Sequence, residues 1–478
     1  MNSAPVLAVP IFLVVLPACA AAAEIEFVDA TSAAGLRAPL EGMLGHGAAW
    51  GDVDQDGDAD LFFGGFADRP SEDYAPRLKP PANVLLLNRG DGTFKPLPDA
   101  AAASHARTSG GVFADLDNDG WPELYVANNA KAKVRTDRGE IQRKASAQLS
   151  QLFDNRRGTL VEISGESGAC QGDLLTARNV GLLDYDLDGK LDLLVVEDRF
   201  TASPRSRLYR NLGGLRFEDR TTQAGLPEDL FGLGLAIGDV NGDGRADIFV
   251  GHSNRFFLSD GTGALREPAS LRETFAWDAL HGEDWPCGAA FGDLNGDARL
   301  DLVLGIHGEP ARNRIYLNRG LGADGVPRFD DVTAAVGLPE SWPQKCPHVE
   351  VHDFDNDGRL DIYFSGAWLA GDGAVTPLVY RNLGNAPDGV PRFVAPGQPA
   401  GAKPVYFPAG PSADFDNDGR IDLFLVNWFA GNHSRLMRNV STGGGWLRIK
   451  VRSAGKENRD GVGGKVTLRT EDGLLGYR

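Results

Sequence analysis

Seven short acidic loops constrain what this chain can fold into more than any other feature. The first, Asp52 to Asp60, reads Asp-x-Asp-x-Asp-Gly-x-x-Asp, with carboxylates at loop positions one, three, five and nine and glycine at six. Calcium is a hard cation that takes about 6–8 oxygens, and alternating side chains on a sharply turned backbone supply most of them from one segment. The candidate ligands of this loop are Asp52, Asp54, Asp56 and Asp60. Six further copies offer Asp115, Asp117, Asp119 and Glu123; Asp184, Asp186, Asp188 and Asp192; Asp239, Asn241, Asp243 and Asp247; Asp293, Asn295, Asp297 and Asp301; Asp353, Asp355, Asp357 and Asp361; and Asp414, Asp416, Asp418 and Asp422. Up to seven calcium ions are therefore expected. The fifth site is expected to be the weakest, because Ala298 replaces the turn glycine at a position that favours positive φ.

These loops are not EF-hands. That motif needs a bidentate Glu at position twelve and a departing helix, whereas position twelve here is Phe63, Val126, Val195, Val250, Leu304, Phe364 or Leu425. Each lies in a short apolar run such as LFFGG or LLVVE, rich in β-branched and aromatic residues, so the loop leads into a strand. Position seven varies freely (Asp58, Trp121, Lys190, Arg245, Arg299, Arg359, Arg420), as expected if its main-chain carbonyl is the ligand.

The loops begin at 52, 115, 184, 239, 293, 353 and 414, a near-regular period that signals an array. Before each loop runs a small-residue strand, such as GLGLAIG at 232–238, and after it the apolar strand. A third strand ending in Asn follows (VLLLN at 84–88, RIYLN at 314–318), then a fourth such as FDDVT at 329–333. Four strands in each of seven units predict an all-β fold, a seven-bladed β-propeller over 24–440 with its acidic loops on one face. The seventh unit lacks a fourth strand, and residues 25–31 match that strand's pattern, so they are expected to close the last blade.

The formal charge is −18, but the loops hold 27 of the 66 acidic residues, and the remainder of the chain is net positive by 9. The acidity is local, and nucleic acid is not an expected partner. Residues 1–23 read as an export signal: an apolar core from Val6 to Leu16, then small-residue cleavage sites from Ala18 to Ala23. The alternative is a lipoprotein box acylated at Cys19. No later stretch is apolar for long enough to span a membrane.

The loops and their flanking strands resemble the FG-GAP/VCBS repeats of integrin α-chain propellers. The tail from Trp446, with Asn458-Arg459-Asp460-Gly461-Val462-Gly463, looks like the start of an ASPIC/UnbV module, here a partial one over 441–478. Together these suggest the bacterial relatives of the cartilage acidic protein family. The resemblance implies calcium-stabilised extracellular binding and does not imply a catalytic activity, so the expected function is that of an exported, non-catalytic binding or adhesion module for protein or carbohydrate.

Three further features bear on function. His348, Glu350 and His352 share one strand face and are candidate zinc or copper ligands with His46 as a recruit, the alternative being polar lining of the central channel. They carry the alternative function, a metal-dependent enzyme or biosynthetic accessory. Cys287 and Cys346 are the leading disulfide pair, leaving Cys170 free. Trp277, His281, Trp285, Trp342, Tyr406 and Phe407 lie in connections on the face opposite the acidic loops, either as a ligand surface or as packing between blades.

Overall fold

The computed structural model describes residues 24–478 apart from 99, 130–132, 137–138, 143–147, 173–175, 199–203, 281, 283, 454–456, 471–472 and 478. The expected export segment with Cys19, and His281, lie outside the described residues. Seven antiparallel blades form a propeller. In the first blade the order from the inside out is Gly47–Gly51, Asp60–Gly64, Val84–Asn88 and Phe94–Pro96. In the last it is Ser412–Ala413, Asp422–Leu425, Arg435–Asn439 and then Phe27–Asp29 from the other end of the chain. Phe27 is paired with Asn439 and Asp29 with Met437, so the two ends of the chain share one blade.

The apolar second strands are buried on both faces, which is why they read as unbroken hydrophobic runs. Leu61, Phe62 and Phe63 are all fully buried. Successive blades interlock through these residues. Phe249 packs on Phe256 and Phe275, and these two meet Tyr316 and Phe329 of the next blade, all at centroid distances of 5.0–5.8 Å, and one cluster joins Leu61 and Phe94 to Phe415 and Phe424 across the closure. The inner strands are small because they crowd: a Cβ on Gly234 would lie 2.2 Å from the Cys287 carbonyl oxygen of the adjacent blade.

Two blades depart from the repeat. An inserted hairpin, Lys133–Thr136 paired with Gly139–Gln142, lengthens the second. In the sixth, Asp361–Leu369 runs past the blade and pairs on one side with Val375–Asn385 and on the other with Lys403–Tyr406. This makes a short wall on the face opposite the acidic loops.

The asparagine that ends most third strands is an inter-blade clamp. Asn88, Asn155, Asn211, Asn318, Asn382 and Asn439 are buried. Each donates its side-chain amide to a carbonyl of its own acidic loop at 2.9–3.2 Å. Each also donates to the second-position carbonyl of the preceding blade's loop at 2.7–2.9 Å. The fourth blade carries Ser259 at this position, which has no amide to offer the Tyr185 carbonyl of the third. Replacing Asn318 by Ala strands two buried carbonyls and is expected to cost about 2–4 kcal/mol. Ser259→Asn is expected to change stability in the opposite direction. Thermal melts of the two variants check both signs.

Candidate metal centres

Each loop is built by local hydrogen bonds. Residues at positions four and six adopt the left-handed conformation in all seven copies, with φ between 54° and 101°. Glycine suits this, and Ala298 sits at φ 65° with the strain that a Cβ brings there. The turn brings backbone N–H groups onto the first carboxylate: Asp353 accepts from Asp357 N at 3.0 Å and Gly358 N at 2.8 Å.

The ninth-position carboxylate is the most regular feature. One oxygen accepts the N–H of loop position two at 2.8–3.1 Å. The other accepts the N–H of the residue ending the third strand, at 2.7–2.9 Å for the six aspartates and 3.4 Å for Glu123. Burial pushes these groups up, Asp60 and Asp247 to about 7, Asp192, Asp361 and Asp422 to about 8, and Glu123 to about 9.

Ligand oxygens converge within 4.8 Å of one another in five loops: Asp52, Asp54 and Asp60; Asp115, Asp117 and Glu123; Asp184, Asp186 and Asp192; Asp353, Asp355 and Asp357; and Asp414, Asp416 and Asp422. The same five loops hold buried carboxylate oxygens with no hydrogen-bond partner, namely Oδ1 of Asp52, Asp54, Asp115, Asp186, Asp355, Asp414 and Asp416. An unpaired buried carboxylate oxygen is costly and is satisfied by a cation. In the fourth and fifth loops the asparagine turns its amide onto the neighbouring carboxylate, Asn241 to Asp243 and Asn295 to Asp297, each at 2.9 Å. No group of three converging carboxylates forms at these two among the described residues.

The basic side chains at position seven and in the third strands are a feature that sequence reasoning passed over. Lys190 pairs with Asp188 at 2.7 Å, and Arg299, Arg359 and Arg420 close onto Asp297, Asp357 and Asp418. Arg210, Arg381 and Arg438 span positions three and five, reaching Asp186, Asp355 and Asp416 at 2.5–2.6 Å. The signal was present as Arg-Asn at the ends of these third strands.

His348, Glu350 and His352 do come together, as a hydrogen-bonded group. Both imidazole Nε2 atoms face Glu350, at 2.6 and 3.1 Å, and Ser412 Oγ donates to Glu350 at 2.8 Å. The two imidazoles hold the carboxyl well below its usual range against the opposing effect of burial. No converging ligand set forms here among the described residues, and His46 is engaged elsewhere, with Arg178 at 2.8 Å and tilted against Trp428 at 4.4 Å. Glu350 and His348 line a cavity of about 610 Å³ with His46, Tyr406 and Trp428. The expected Cys287–Cys346 disulfide is not formed. Cys287 packs with Leu233 and Trp285, whereas Cys346 is part of the larger core between blades. Burial pushes both thiols up to about 12. Of the opposite-face aromatics, Trp285, Trp342 and Phe407 are packing residues and Trp277 is half-buried. Tyr406 lines the cavity.

The raised carboxyls set a pH dependence. In cation-free protein the fold keeps protons that the unfolded chain loses near pH 4, so stability declines as pH rises through about 7–8. Chelated protein is expected to melt at progressively lower temperature from pH 5.5 to 8, and saturating calcium, which takes the place of the protons, to abolish that decline.

The FG-GAP-like repeat family matches residues 52–126, 184–250 and 293–364. The chain is 27% identical over 459 residues to cartilage acidic protein 1 of Mus musculus, covering 90% of this chain and 64% of that protein. It is 27% identical over 452 residues to the Homo sapiens protein, covering 90% and 63%. It thus spans a little under two thirds of the length of these relatives. Among solved structures it resembles an Agrocybe aegerita lectin that recognises non-reducing terminal N-acetylglucosamine, at 16% identity and TM-score 0.42, covering 83% of this chain and 94% of that one. No helix among the described residues is long and apolar enough to cross a membrane. The chain is a seven-bladed propeller that carries FG-GAP-like repeats over these three stretches and is similar along 90% of its length to cartilage acidic protein 1.

Proposed function

We propose that this protein is an exported, calcium-binding propeller that acts as a non-catalytic binding or adhesion module. The observation that carries the reading is the coincidence of two independent features in the same five loops: converging carboxylates and buried oxygens without partners. An all-oxygen donor set on a turned loop suits calcium and offers zinc or copper neither nitrogen nor sulfur. When bound, the cation cross-links loop positions and neutralises buried charge. The chain's own groups orient the carboxylates through the backbone N–H groups described above. The first, second, third, sixth and seventh loops are the principal sites, with the fourth and fifth much weaker.

A protein or glycan ligand is received on the opposite face, where the inner strands begin. There the cavity of about 610 Å³ presents aromatic, imidazole and guanidinium groups in one place. His348 and Glu350 serve as polar lining of this cavity, with His352 behind them, since the Nε2 atoms of both imidazoles already face the carboxylate.

Calcium that binds only the folded ring raises its stability by about 1.4 kcal/mol per site at ten times the dissociation constant. Purified protein is expected to bind close to five equivalents and to lose a large part of its thermal stability in chelator. Calcium is expected to restore it and magnesium to do so poorly, and Asp355→Asn to remove one equivalent. A melt indifferent to both chelator and calcium would refute the reading.

A further inference from the structure

The chain contains two Asn-Gly dipeptides, Asn241-Gly242 and Asn295-Gly296. They occupy positions three and four of the fourth and fifth loops, the two in which no group of three converging carboxylates forms among the described residues. Each of the five converging groups includes a position-three aspartate, namely Asp54, Asp117, Asp186, Asp355 and Asp416. At that position the fourth and fifth loops therefore differ from the others by an amide in place of a carboxylate.

When glycine follows asparagine, its main-chain nitrogen reaches the side-chain carbonyl with no Cβ to obstruct it. Gly242 and Gly296 are exposed at φ 76° and 73°, and a Cβ built on either would meet nothing within 4 Å beyond its chain neighbours. In the fourth loop the surrounding groups favour attack. Gly242 N donates to Asp239 Oδ1 at 2.8 Å, so its proton has an acceptor. Asp243 N donates to Asn241 Oδ1 at 2.9 Å and polarises the carbonyl under attack. In the fifth loop the corresponding donor, Asp297 N, stands farther off, 3.2 Å from Asn295 Oδ1. The third-strand asparagines are protected by contrast. Asn211, Asn318, Asn382 and Asn439 are buried, their amides are committed to carbonyls, and a larger residue follows each.

We propose that Asn241 and Asn295 are deamidation sites, and that their conversion to aspartate completes the fourth and fifth loops as calcium sites. In the fourth loop a bond forms from Gly242 N to Asn241 Cγ. The proton of that nitrogen passes to Asp239 and on to the side-chain amide, which leaves as ammonia. Water then opens the cyclic imide. Attack at Cγ restores the main chain and leaves a carboxylate at position three. Attack at the main-chain carbonyl gives isoaspartate, which adds a methylene to the backbone and does not complete the loop. One water is consumed and one ammonia released, with no change of oxidation state. Before conversion Asn241 gives its amide to Asp243 and Asn295 gives its own to Asp297, each at 2.9 Å. After conversion two carboxylates face one another there, and a cation relieves their repulsion. The gain of a site rests on the calcium reading of the loops, whereas deamidation does not.

The test ages the purified full chain in mildly alkaline buffer without calcium and follows it by peptide mass and fragmentation. A gain of about one dalton is expected at Asn241 and Asn295 before any other asparagine, and at Asn241 first. Asn241→Gln, whose longer side chain cannot close the same ring, is expected to lose the gain at that position. In calcium titration Asn241→Asp and Asn295→Asp are each expected to add about one equivalent to the parent. The added site of Asn295→Asp is expected to be the weaker, because Ala298 keeps its strain. Ageing that starts at other asparagines, or that yields isoaspartate alone, refutes the conversion. If the two aspartate variants bind no more calcium than the parent while the parent's own sites fill, completion of the loops is refuted and the calcium reading stands. Absence of calcium binding by parent and variants alike refutes that reading and the completed sites together.

Discussion

The ring is registered by one repeated contact, the buried carboxylate at the ninth position of each acidic loop. It accepts one N–H from its own loop and one from the end of the third strand. That second donor belongs, in six blades, to the asparagine whose side chain grips the preceding blade. A single carboxylate therefore sets the height of the loop, the register of the third strand and, through the asparagine, the seam to the next blade. Asp247 and Asp301 keep both contacts in the fourth and fifth loops, where the other carboxylates do not converge. The staple is thus architectural, and the convergence of carboxylates is an addition that five of the seven copies carry.

That separation explains how much could be read from the chain alone. Blade number, the strand following each loop and the acidic face were legible because they rest on local rules: a turn glycine, alternating carboxylates and an apolar run too short for a helix. The strain at Ala298 was legible for the same reason, since φ at position six is fixed by the turn. What escaped depends on where separate segments meet. The terminal asparagines were visible as a repeated letter, but their role needs the preceding blade's carbonyl. The arginines of the third strands looked like surface charge until they were seen to reach positions three and five. Cys287 and Cys346 were close in pattern, but the twist of neighbouring blades sends them into different hydrophobic clusters. Asn241 and Asn295 differ from aspartate by one charge in sequence, and in the fold they become donors that tie up the very carboxylate a cation would need.

The charge balance of the acidic face follows from the same geometry. A loop with four carboxylates would stay negative even with one divalent cation, and Arg210, Arg381 and Arg438 compensate from within the blade. Arg448 and Arg459 of the tail do so from outside, at loops seven and two. The strong overall negative charge is therefore concentrated at loops to which the chain itself brings basic side chains. The remainder of the chain is net positive.

A ring of similar units has a weakness as a recognition surface, for it presents the same outline from seven directions. The strand pairing that lengthens Asp361–Leu369 in the sixth blade removes that degeneracy. Together with the inserted hairpin of the second blade, this low parapet gives the rotor a unique bearing, so that anything settling over the axis has only one orientation in which its own asymmetry is matched.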